Sequence, residues 1–405
     1  MKKVAVLGPT FPYKGGIVHF NERLFEEISE FDGIAPYLYS WKKLYPAVLL
    51  PKSEKDFKSN EQRDWHLSSQ VRCFMSYTNP FSWVKMVLQI RKHDIESFVT
   101  HWQQPVQFPV YFCLFLLLKV FVKAEIILIV HNVVQHEDSK LYSFLSKVIF
   151  SLSDKIVVHS STELVKARKL TKTKIVKLYL PIFSNFPLGD SKKVVDFKKL
   201  HNIDDKCLLF FGFIRKYKGL EYLLRAMPEI LKTYPRLKLI VAGEQFWKGN
   251  DDRTGIKRLP YRLVKHLTGG GGREERYEPM SLVQELGLEK SVIWVNEYIP
   301  DKDVYIYFKS ADVLVMPYTS ASQSGPVQVA YHFNKPVLAS NVGGLKDSVE
   351  DGVSGYLFKS KDPSALSGSV FNFYQANQNW SKEVLCYASN FDWVGYIKVI
   401  FEIND

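Results

Sequence analysis

The stretch that decides the fold runs from residue 208 to residue 226 and reads LLFFGFIRKYKGLEYLLRA. It begins as a continuous apolar run, which is typical of a strand buried on both faces of a parallel sheet. A short basic loop follows, and then an amphipathic segment of helical period. Arg215 and Lys218 lie in that loop, at the strand end where ligands bind in open α/β sheets. Two cations there could hold a diphosphate, Arg215 through its planar fork and Lys218 as a point charge.

The same alternation of short apolar strands and helical segments continues along the whole chain, which predicts doubly wound α/β domains. Its length of 405 residues fits two of them. The segment PIFSNFPLGDSKK, from Pro181 on, lacks a clear period and places the boundary near 183–205. We expect an N-terminal Rossmann-like domain over 1–185 and a C-terminal one over 200–387. The predicted strands are Lys3–Leu7, Phe98–His101, Ile126–Val130, Lys155–His159, Leu208–Phe213, Leu237–Ala242, Val292–Val295, Val313–Met316 and Val337–Ser340.

Two further segments have irregular or terminal character. Residues 246–280 contain a run of four glycines and the charged sequence REER, and we interpret them as a charged insertion that is either a candidate lid or a disordered surface loop. From Trp393 the chain is amphipathic and predicts a closing helix within 388–405.

Two glycine- and serine-rich loops are candidate anion sites. Gly15 and Gly16, in GPTFPYKGGIVHF, lie between the first strand and the first helix, where a helix N-terminus favours anions. A structural turn explains that loop equally well. In PYTSASQSGPVQV, which starts at residue 317, Ser322, Ser324 and the backbone of Gly325 could form a nest around phosphate oxygens. Ordinary helix capping by serine is the alternative there.

A histidine follows one of the buried strands in VHNVVQHEDSK, residues 130–140. His131 is at the strand end, with His136 and Glu137 shortly after it. A lone histidine is more often structural than catalytic, so this sequence leaves both readings open. Three polar groups beside one strand end nevertheless make His131 a candidate site residue.

The charge of the chain is concentrated in its first half. The formal net charge is +12, and residues 1–200 hold 29 Lys and Arg against 18 Asp and Glu. Such a field attracts phosphates or anionic lipid head groups, and the absence of a nucleic-acid motif argues against nucleic acid. The four cysteines are far apart, which indicates a reducing cytoplasm and neither a disulfide framework nor a zinc site.

The most apolar stretch, Phe108 to Val122, is too short for a bilayer span and contains Lys119. The short apolar run after the N-terminal MKK predicts a first strand and no signal peptide. We therefore expect a cytoplasmic protein, with a peripheral contact at the inner face of the plasma membrane as a further hypothesis.

In order and spacing these segments resemble the retaining glycosyltransferases of family 4, the "group 1" glycosyltransferases, which have the GT-B fold. The motifs that carry the resemblance are GFIRKYKG, LIVAGE, NEYIPDKDV, ADVLVMPY, QSG and KPVLASNVGGLKDSVEDGVSGYLF within residues 208–358. The GG loop, THWQQP and HNV fit the family in the first half. The run FDWVGYIKVIFEI looks like the family's C-terminal helix, which crosses back to the first domain.

The resemblance implies two Rossmann-like domains that face each other across a cleft holding the active site. Arg215 and Lys218 would hold the donor diphosphate, and Gly15 and Gly16 would lie against it. His131 would contact the transferred sugar.

The resemblance also implies residues around the nucleoside. Tyr298 and Ile299, in NEYIP, would border the nucleobase. Glu244, in AGE, would lie at a strand end near the donor.

One departure concerns the loop after ADVLVMPY. The family often has two glutamates there, and Ala321 and Val329 occupy their positions in this chain. Neither side chain can accept a hydrogen bond from a sugar or ribose hydroxyl. Gln323 and Gln328 lie nearby and are the predicted substitutes. The departure leaves the donor sugar undetermined.

The resemblance implies a hexosyltransferase that moves a sugar from a nucleoside diphosphate sugar to a hydroxyl acceptor with retention. No protein nucleophile is needed, because the departing phosphate can take the acceptor proton, and no carboxylate pair of the glycosidase kind stands out. No DxD-like motif follows a strand in either domain, so we expect no metal and no cofactor besides the sugar donor. A glycan or lipid-linked acceptor on the basic first domain would suit polysaccharide or lipopolysaccharide synthesis.

Three other functions remain open from the sequence. A nucleotide-sugar epimerase and a non-catalytic binding scaffold can share this fold. An NAD-dependent dehydrogenase is disfavoured, because the GxGxxG fingerprint and its downstream acidic partner are missing.

Overall fold

A computed structural model describes residues 1–44, 67–133, 140–245 and 277–403. These residues form two compact α/β units. Within the described ranges, the first unit comprises residues 1–178 and 393–403, and the second comprises 179–392. The irregular segment PIFSNFPLGDSKK thus begins the second unit. Both His136 and Glu137, and the insertion 246–276 with its four glycines, lie outside the described residues.

The first unit is built on a seven-stranded parallel sheet with the strand order β3-β2-β1-β4-β5-β6-β7. The strands are β1 (Lys2–Leu7), β2 (Ile34–Lys43), β3 (Arg72–Ser76), β4 (Ser97–Trp102), β5 (Glu125–Val130), β6 (Lys155–Val158) and β7 (Lys174–Lys177). Its helices are α1 (Gly16–Glu30), α2 (Pro80–Lys92), α3 (Phe108–Phe121), α4 (Lys140–Leu152) and α5 (Ser161–Leu170).

The second unit is built on a six-stranded parallel sheet with the order β10-β9-β8-β11-β12-β13. The strands are β8 (Cys207–Phe211), β9 (Lys238–Ala242), β10 (Val292–Val295), β11 (Val313–Met316), β12 (Val337–Ser340) and β13 (Gly355–Phe358). Its helices are α6 (Ser191–Leu200), α7 (Leu220–Thr233), α8 (Pro279–Glu285), α9 (Val304–Ser310), α10 (Gly325–His332), α11 (Leu345–Ser348), α12 (Pro363–Gln375) and α13 (Trp380–Ala388).

The predicted doubly wound architecture is confirmed, and the central strands are buried on both faces. In β5 the five residues after Glu125 are all buried, as are the four residues of β11 and of β12. Parallel strands with helices on both faces have no solvent-facing side, so their sequences read as continuous apolar runs.

The final helix, α14 (Trp393–Phe401), belongs to the first unit and packs on α1. Lys155, buried at the start of β6, anchors its end. The Lys155 ammonium donates to the Ile400 carbonyl at 2.9 Å and lies 2.7 Å from the Glu402 carboxylate and 3.1 Å from that of Glu125. Two carboxylates and a carbonyl thus compensate the burial of one charge.

Helix α3 contains the most apolar sequence of the chain. Among the helices in the described ranges, none is long and apolar enough to cross a membrane.

Candidate functional site

The basic loop of the second unit is held in a compact turn after β8. Residues Lys216–Lys218 form a 3-10 turn, and Gly219, at φ +66°, leads directly into α7. A Cβ atom on Gly219 would lie 2.0 Å from the Pro317 carbonyl oxygen. Glycine is therefore needed at Gly219 both for the left-handed backbone and for the close approach of the loop after β11.

Lys218 is buried within this turn, while Lys216 is exposed. The Lys218 ammonium lies 5.5 Å from the centre of the Tyr318 ring, a cation–π distance. It would be 3.0 Å from a Cβ atom at Gly212, so the missing side chain there makes room for it. Burial, with a smaller contribution from the Arg215 charge, lowers the pKa of Lys218 to about 7. An anion placed here would restore the charge of this lysine.

The loop after β11 is hydrogen-bonded to the basic turn. The Thr319 amide and hydroxyl both donate to the Tyr217 carbonyl, at 2.8 and 3.2 Å. The two loops therefore form one surface, with Arg215 half-buried beside Lys218.

Ser324 is the N-cap residue of α10, but its side chain makes no capping bond. Its buried hydroxyl lies 3.9 Å from the Met316 sulfur and hydrogen-bonds with Tyr318. The alternative of ordinary serine capping is therefore wrong for Ser324. Ser322 and Gln323 are half-buried in the same loop, and Gly325 begins the helix.

The two positions without glutamate differ in their surroundings. Ala321 is half-buried, and its carbonyl accepts the Gly344 amide at 3.2 Å. Val329 is buried in α10. The adjacent Gln328 is fully buried, and neither atom of its side-chain amide has a hydrogen-bond partner in the described ranges. An enclosed amide without partners costs about 1–3 kcal/mol, so Gln328 needs an explanation.

The remaining predicted donor residues lie at the same sheet edge, next to β8. Glu244 follows β9, and its carbonyl accepts the Ile214 amide at 2.9 Å. Tyr298 follows β10, and its ring lies 6.3 Å from that of Phe213. Ile299, beside it, is buried. The ends of β8, β9, β10 and β11 thus bring the predicted donor residues of this unit to one edge.

In the first unit, three histidines form a row at the ends of neighbouring strands. His101 is in β4, His131 directly follows β5 and His159 directly follows β6. The His101 and His131 rings stack at 5.3 Å between centroids, and the His131 and His159 centroids are 5.9 Å apart. The Phe20 ring packs edge-on against all three. All three imidazoles are buried.

Hydrogen bonds assign the tautomers of two of these rings. The Asn21 amide nitrogen donates to the Pro9 carbonyl at 3.2 Å, so the Asn21 oxygen is the acceptor, 2.8 Å from His101 Nε2. His101 Nε2 must then carry the proton, and His101 Nδ1 accepts from His131 Nε2 at 3.1 Å. His131 Nδ1 is therefore a lone-pair nitrogen that can only accept a hydrogen bond.

Two imidazoles of the row, those of His101 and His131, are neutral at ordinary pH. Burial, with a smaller contribution from His159, lowers the pKa of His101 to about 3. Burial also holds the pKa of His131 well below its usual range, and the neighbouring His101 and His159 lower this pKa further. The Tyr396 hydroxyl of α14 lies 3.1 Å from His159 Nε2.

Gly15 and Gly16 lie at the N-terminus of α1. Gly15 is its N-cap residue at φ +118°, and a Cβ atom there would meet nothing within 4 Å. Backbone conformation, and not crowding, therefore favours glycine at this position. Gly16 is exposed, and the first turn of α1 contains no acidic residue, so this helix end is open to an anion.

Across the described ranges, no group of three or more His, Cys, Asp or Glu side chains could hold a metal ion.

The family model described as "Glycosyl transferases group 1" matches residues 191–382, most of the second unit. The second unit is therefore similar in sequence to the group 1 glycosyltransferases. A curated relative is the D-inositol 3-phosphate glycosyltransferase of Acidothermus cellulolyticus, which is 30% identical over 171 residues. That match covers 42% of this chain and 33% of the relative. The chain therefore spans about a third of the length of the curated relative.

Comparison with solved structures shows that the chain has the GT-B fold. Sucrose-phosphate synthase from Thermosynechococcus elongatus matches with a TM-score of 0.68 and 17% identity, over 100% of this chain and 98% of the other. HepE from Anabaena, solved in complex with UDP and glucose, matches with a TM-score of 0.68 and 14% identity, over 99% of each chain. Identities this low show the fold alone.

Sequence reasoning missed His101, His159 and Asn21. The signal was present, because each of three predicted neighbouring strands ends in or is followed by a histidine, and parallel strands bring such ends together. Asn21 follows from no local pattern, since its role depends on how α1 packs against the sheet.

Proposed function

We propose that this protein transfers a sugar from a nucleoside diphosphate sugar to a hydroxyl acceptor. The observation that carries the proposal is Lys218, a buried lysine at the carboxyl edge of a parallel sheet beside a half-buried Arg215. Burying an ammonium group is costly unless an anion joins it. A diphosphate between Arg215 and Lys218 would supply that anion.

The same contacts would favour the transition state. Negative charge builds on the departing diphosphate as the bond to the sugar breaks, and preorganised cations and amides stabilise that charge. Arg215, Lys218 and the backbone amides of residues 323–325 are the proposed donors. We propose retention of configuration, with the departing phosphate oxygen taking the acceptor proton, so that no protein nucleophile and no metal are required.

His131 would bind the sugar as a hydrogen-bond acceptor. Its Nδ1 has a lone pair, and burial keeps the ring neutral, so it would receive a hydroxyl hydrogen and would repel a carboxylate. We therefore propose a donor sugar with a hydroxyl at this contact, a hexose and not a uronic acid.

The donor base and the acceptor are further proposals. HepE was solved with UDP and glucose, so UDP-glucose is the first donor to test. The basic first half of the chain supports a glycan or lipid-linked acceptor, and a place in polysaccharide or lipopolysaccharide synthesis at the cytoplasmic face of the membrane.

The test is release of nucleoside diphosphate from a donor panel, with and without hydroxyl acceptors, for the wild-type protein and two variants. Lys218→Met should lower the rate by about 10²-fold or more, because it removes a charge at the departing group. Lys216→Met changes the exposed lysine of the same turn and is the matched control, for which we expect less than a threefold change, as a solvated charge contributes little.

Other outcomes have distinct meanings. Full activity of Lys218→Met would contradict the role of this lysine. Release of nucleotide that does not depend on any acceptor would favour an epimerase or hydrolase, and nucleotide binding without turnover would favour a binding scaffold. Addition of EDTA should leave the rate unchanged.

A further inference from the structure

Helix α2 presents apolar side chains to solvent. Phe81, Val84 and Leu88 are all exposed, Phe81 to 84%. Their spacing of three and four residues places them on one side of the helix. A surface helix normally directs polar residues to that side, so α2 has an apolar face that the described residues leave exposed.

Helix α3 packs beside α2 and has the same character. Its exposed apolar residues are Leu116, Val120 and Phe121, and Leu116 lies about one helical turn before the other two. Its buried side packs into the core of the unit through residues such as Leu114 and Leu118. The helix is thus apolar on both its core side and its solvent side.

Helix α4 packs on the other side of α3. It exposes Leu141 and Phe144, three residues apart. The three neighbouring helices therefore each expose apolar side chains to solvent. Exposed apolar side chains grouped on adjacent helices are typical of an interaction site.

The charges on this layer have one sign. None of the three helices contains an Asp or a Glu. Their basic residues are Lys85, Arg91, Lys92, Lys119, Lys140 and Lys147. Of these, Lys119 is paired with Asp154 at 2.9 Å. Basic groups interleaved with exposed apolar residues are what an anionic lipid surface binds.

We propose that the outer face of α2, α3 and α4 docks the protein on an anionic membrane surface, with its apolar side chains among the lipid head groups. A second copy of this chain fits less well, because two such faces would bring like charges together. This docking does not depend on glycosyl transfer, and either proposal can fail alone.

The experiment is flotation of the full chain with vesicles of phosphatidylcholine alone, and with vesicles in which roughly one-third of the lipid is phosphatidylglycerol. We expect co-flotation with the anionic vesicles only, and its loss at high salt. Lys147→Gln should weaken binding about fivefold, the effect of one basic residue near a charged surface.

Leu88→Ser and Leu385→Ser form a matched pair. The two leucines are 58% and 59% exposed, but Leu385 lies on α13 in the second unit. Leu88→Ser should weaken vesicle binding by roughly tenfold, and Leu385→Ser should leave it unchanged. Unchanged melting temperatures would show that both variants fold.

Three results would overturn the proposal. They are the absence of vesicle binding, equal binding to neutral and anionic vesicles, and equal effects of the two leucine variants. A lipid-free dimer broken by Leu88→Ser, without vesicle binding, would instead assign the face to contact between copies of this chain.

Discussion

Binding of a nucleoside diphosphate should be accompanied by proton uptake at Lys218. Because the pKa of this lysine is lowered to about 7, the side chain is about 90% neutral at pH 8 in the unliganded protein. A diphosphate beside it favours the charged form and raises the pKa again. We therefore expect uptake of about 0.9 proton per nucleotide at pH 8, where the terminal phosphate of UDP is already ionised.

Isothermal titration calorimetry measures this uptake directly. UDP is titrated at pH 8 in Hepes and in Tris, whose ionisation enthalpies differ, and the difference in observed enthalpy gives the number of protons exchanged. Lys218→Met, if it still binds, should show almost none. Binding whose enthalpy is the same in both buffers at pH 8 would refute the reasoning, because it would mean that Lys218 is charged before the ligand arrives or does not meet the phosphates.

The lowered pKa of Lys218 also makes the stability of the folded protein depend on pH. The pKa of Lys218 is lower in the folded than in the unfolded protein, so between pH 7 and 10.5 the unfolded chain binds more protons and stability rises with pH. The loss of stability caused by burying the charged Lys218 side chain is fully present below pH 7. Lys218→Met should therefore stabilise the unliganded protein at pH 6, by at most about 5 kcal/mol. Denaturant unfolding at pH 6 checks this, and a destabilised variant would contradict it.

Three further outcomes follow from single contacts. Gln328→Leu should raise the free energy of unfolding by about 1–3 kcal/mol, because it removes an enclosed amide without partners, and a lower melting temperature would contradict this. Nitrogen NMR of the labelled histidines should show His131 protonated at Nε2, and protonation at Nδ1 would refute the bond to His101. Gly219→Ala should destabilise the protein by more than about 2 kcal/mol in chemical denaturation. The control Gly33→Ala should cost about 1 kcal/mol, because Gly33 also has a positive φ, +86°, but a Cβ atom there would meet nothing within 4 Å. Equal losses of stability in the two variants would rule out the contact of Gly219 with Pro317.

Strands whose sequence is a continuous apolar run could be predicted from the sequence, and most strands without such a run were missed. The predictions for Val292–Val295, Val313–Met316 and Val337–Ser340 match the structure to the residue. Strand β2 was missed because IAPYLYSWKK contains proline, serine and lysine and shows no apolar run. The other missed strands, β3, β7 and β13, lie at sheet edges, where burial is incomplete and the sequence signal weak.

The candidate site could be predicted where it depends on strand ends and not where it depends on packing. Arg215 and Lys218 became candidates because their loop follows an obvious strand. The burial of Lys218 and the isolation of the Gln328 amide could not be predicted, since both result from how loops and helices close over them. The histidine row could be predicted only in part. The sequence shows a histidine at each strand end, but it does not show that His101 is hydrogen-bonded to Asn21.

The most direct test of the central claim is thermal unfolding of the wild-type protein and of Lys218→Met with excess UDP, GDP, ADP or NAD. A nucleotide at about 100 times its dissociation constant adds about 2.7 kcal/mol to stability, a clear rise in melting temperature. We predict that one nucleoside diphosphate stabilises the wild-type protein selectively and that Lys218→Met loses most of this effect. No stabilisation by any diphosphate, or equal stabilisation of both proteins, would contradict a donor site built around Lys218.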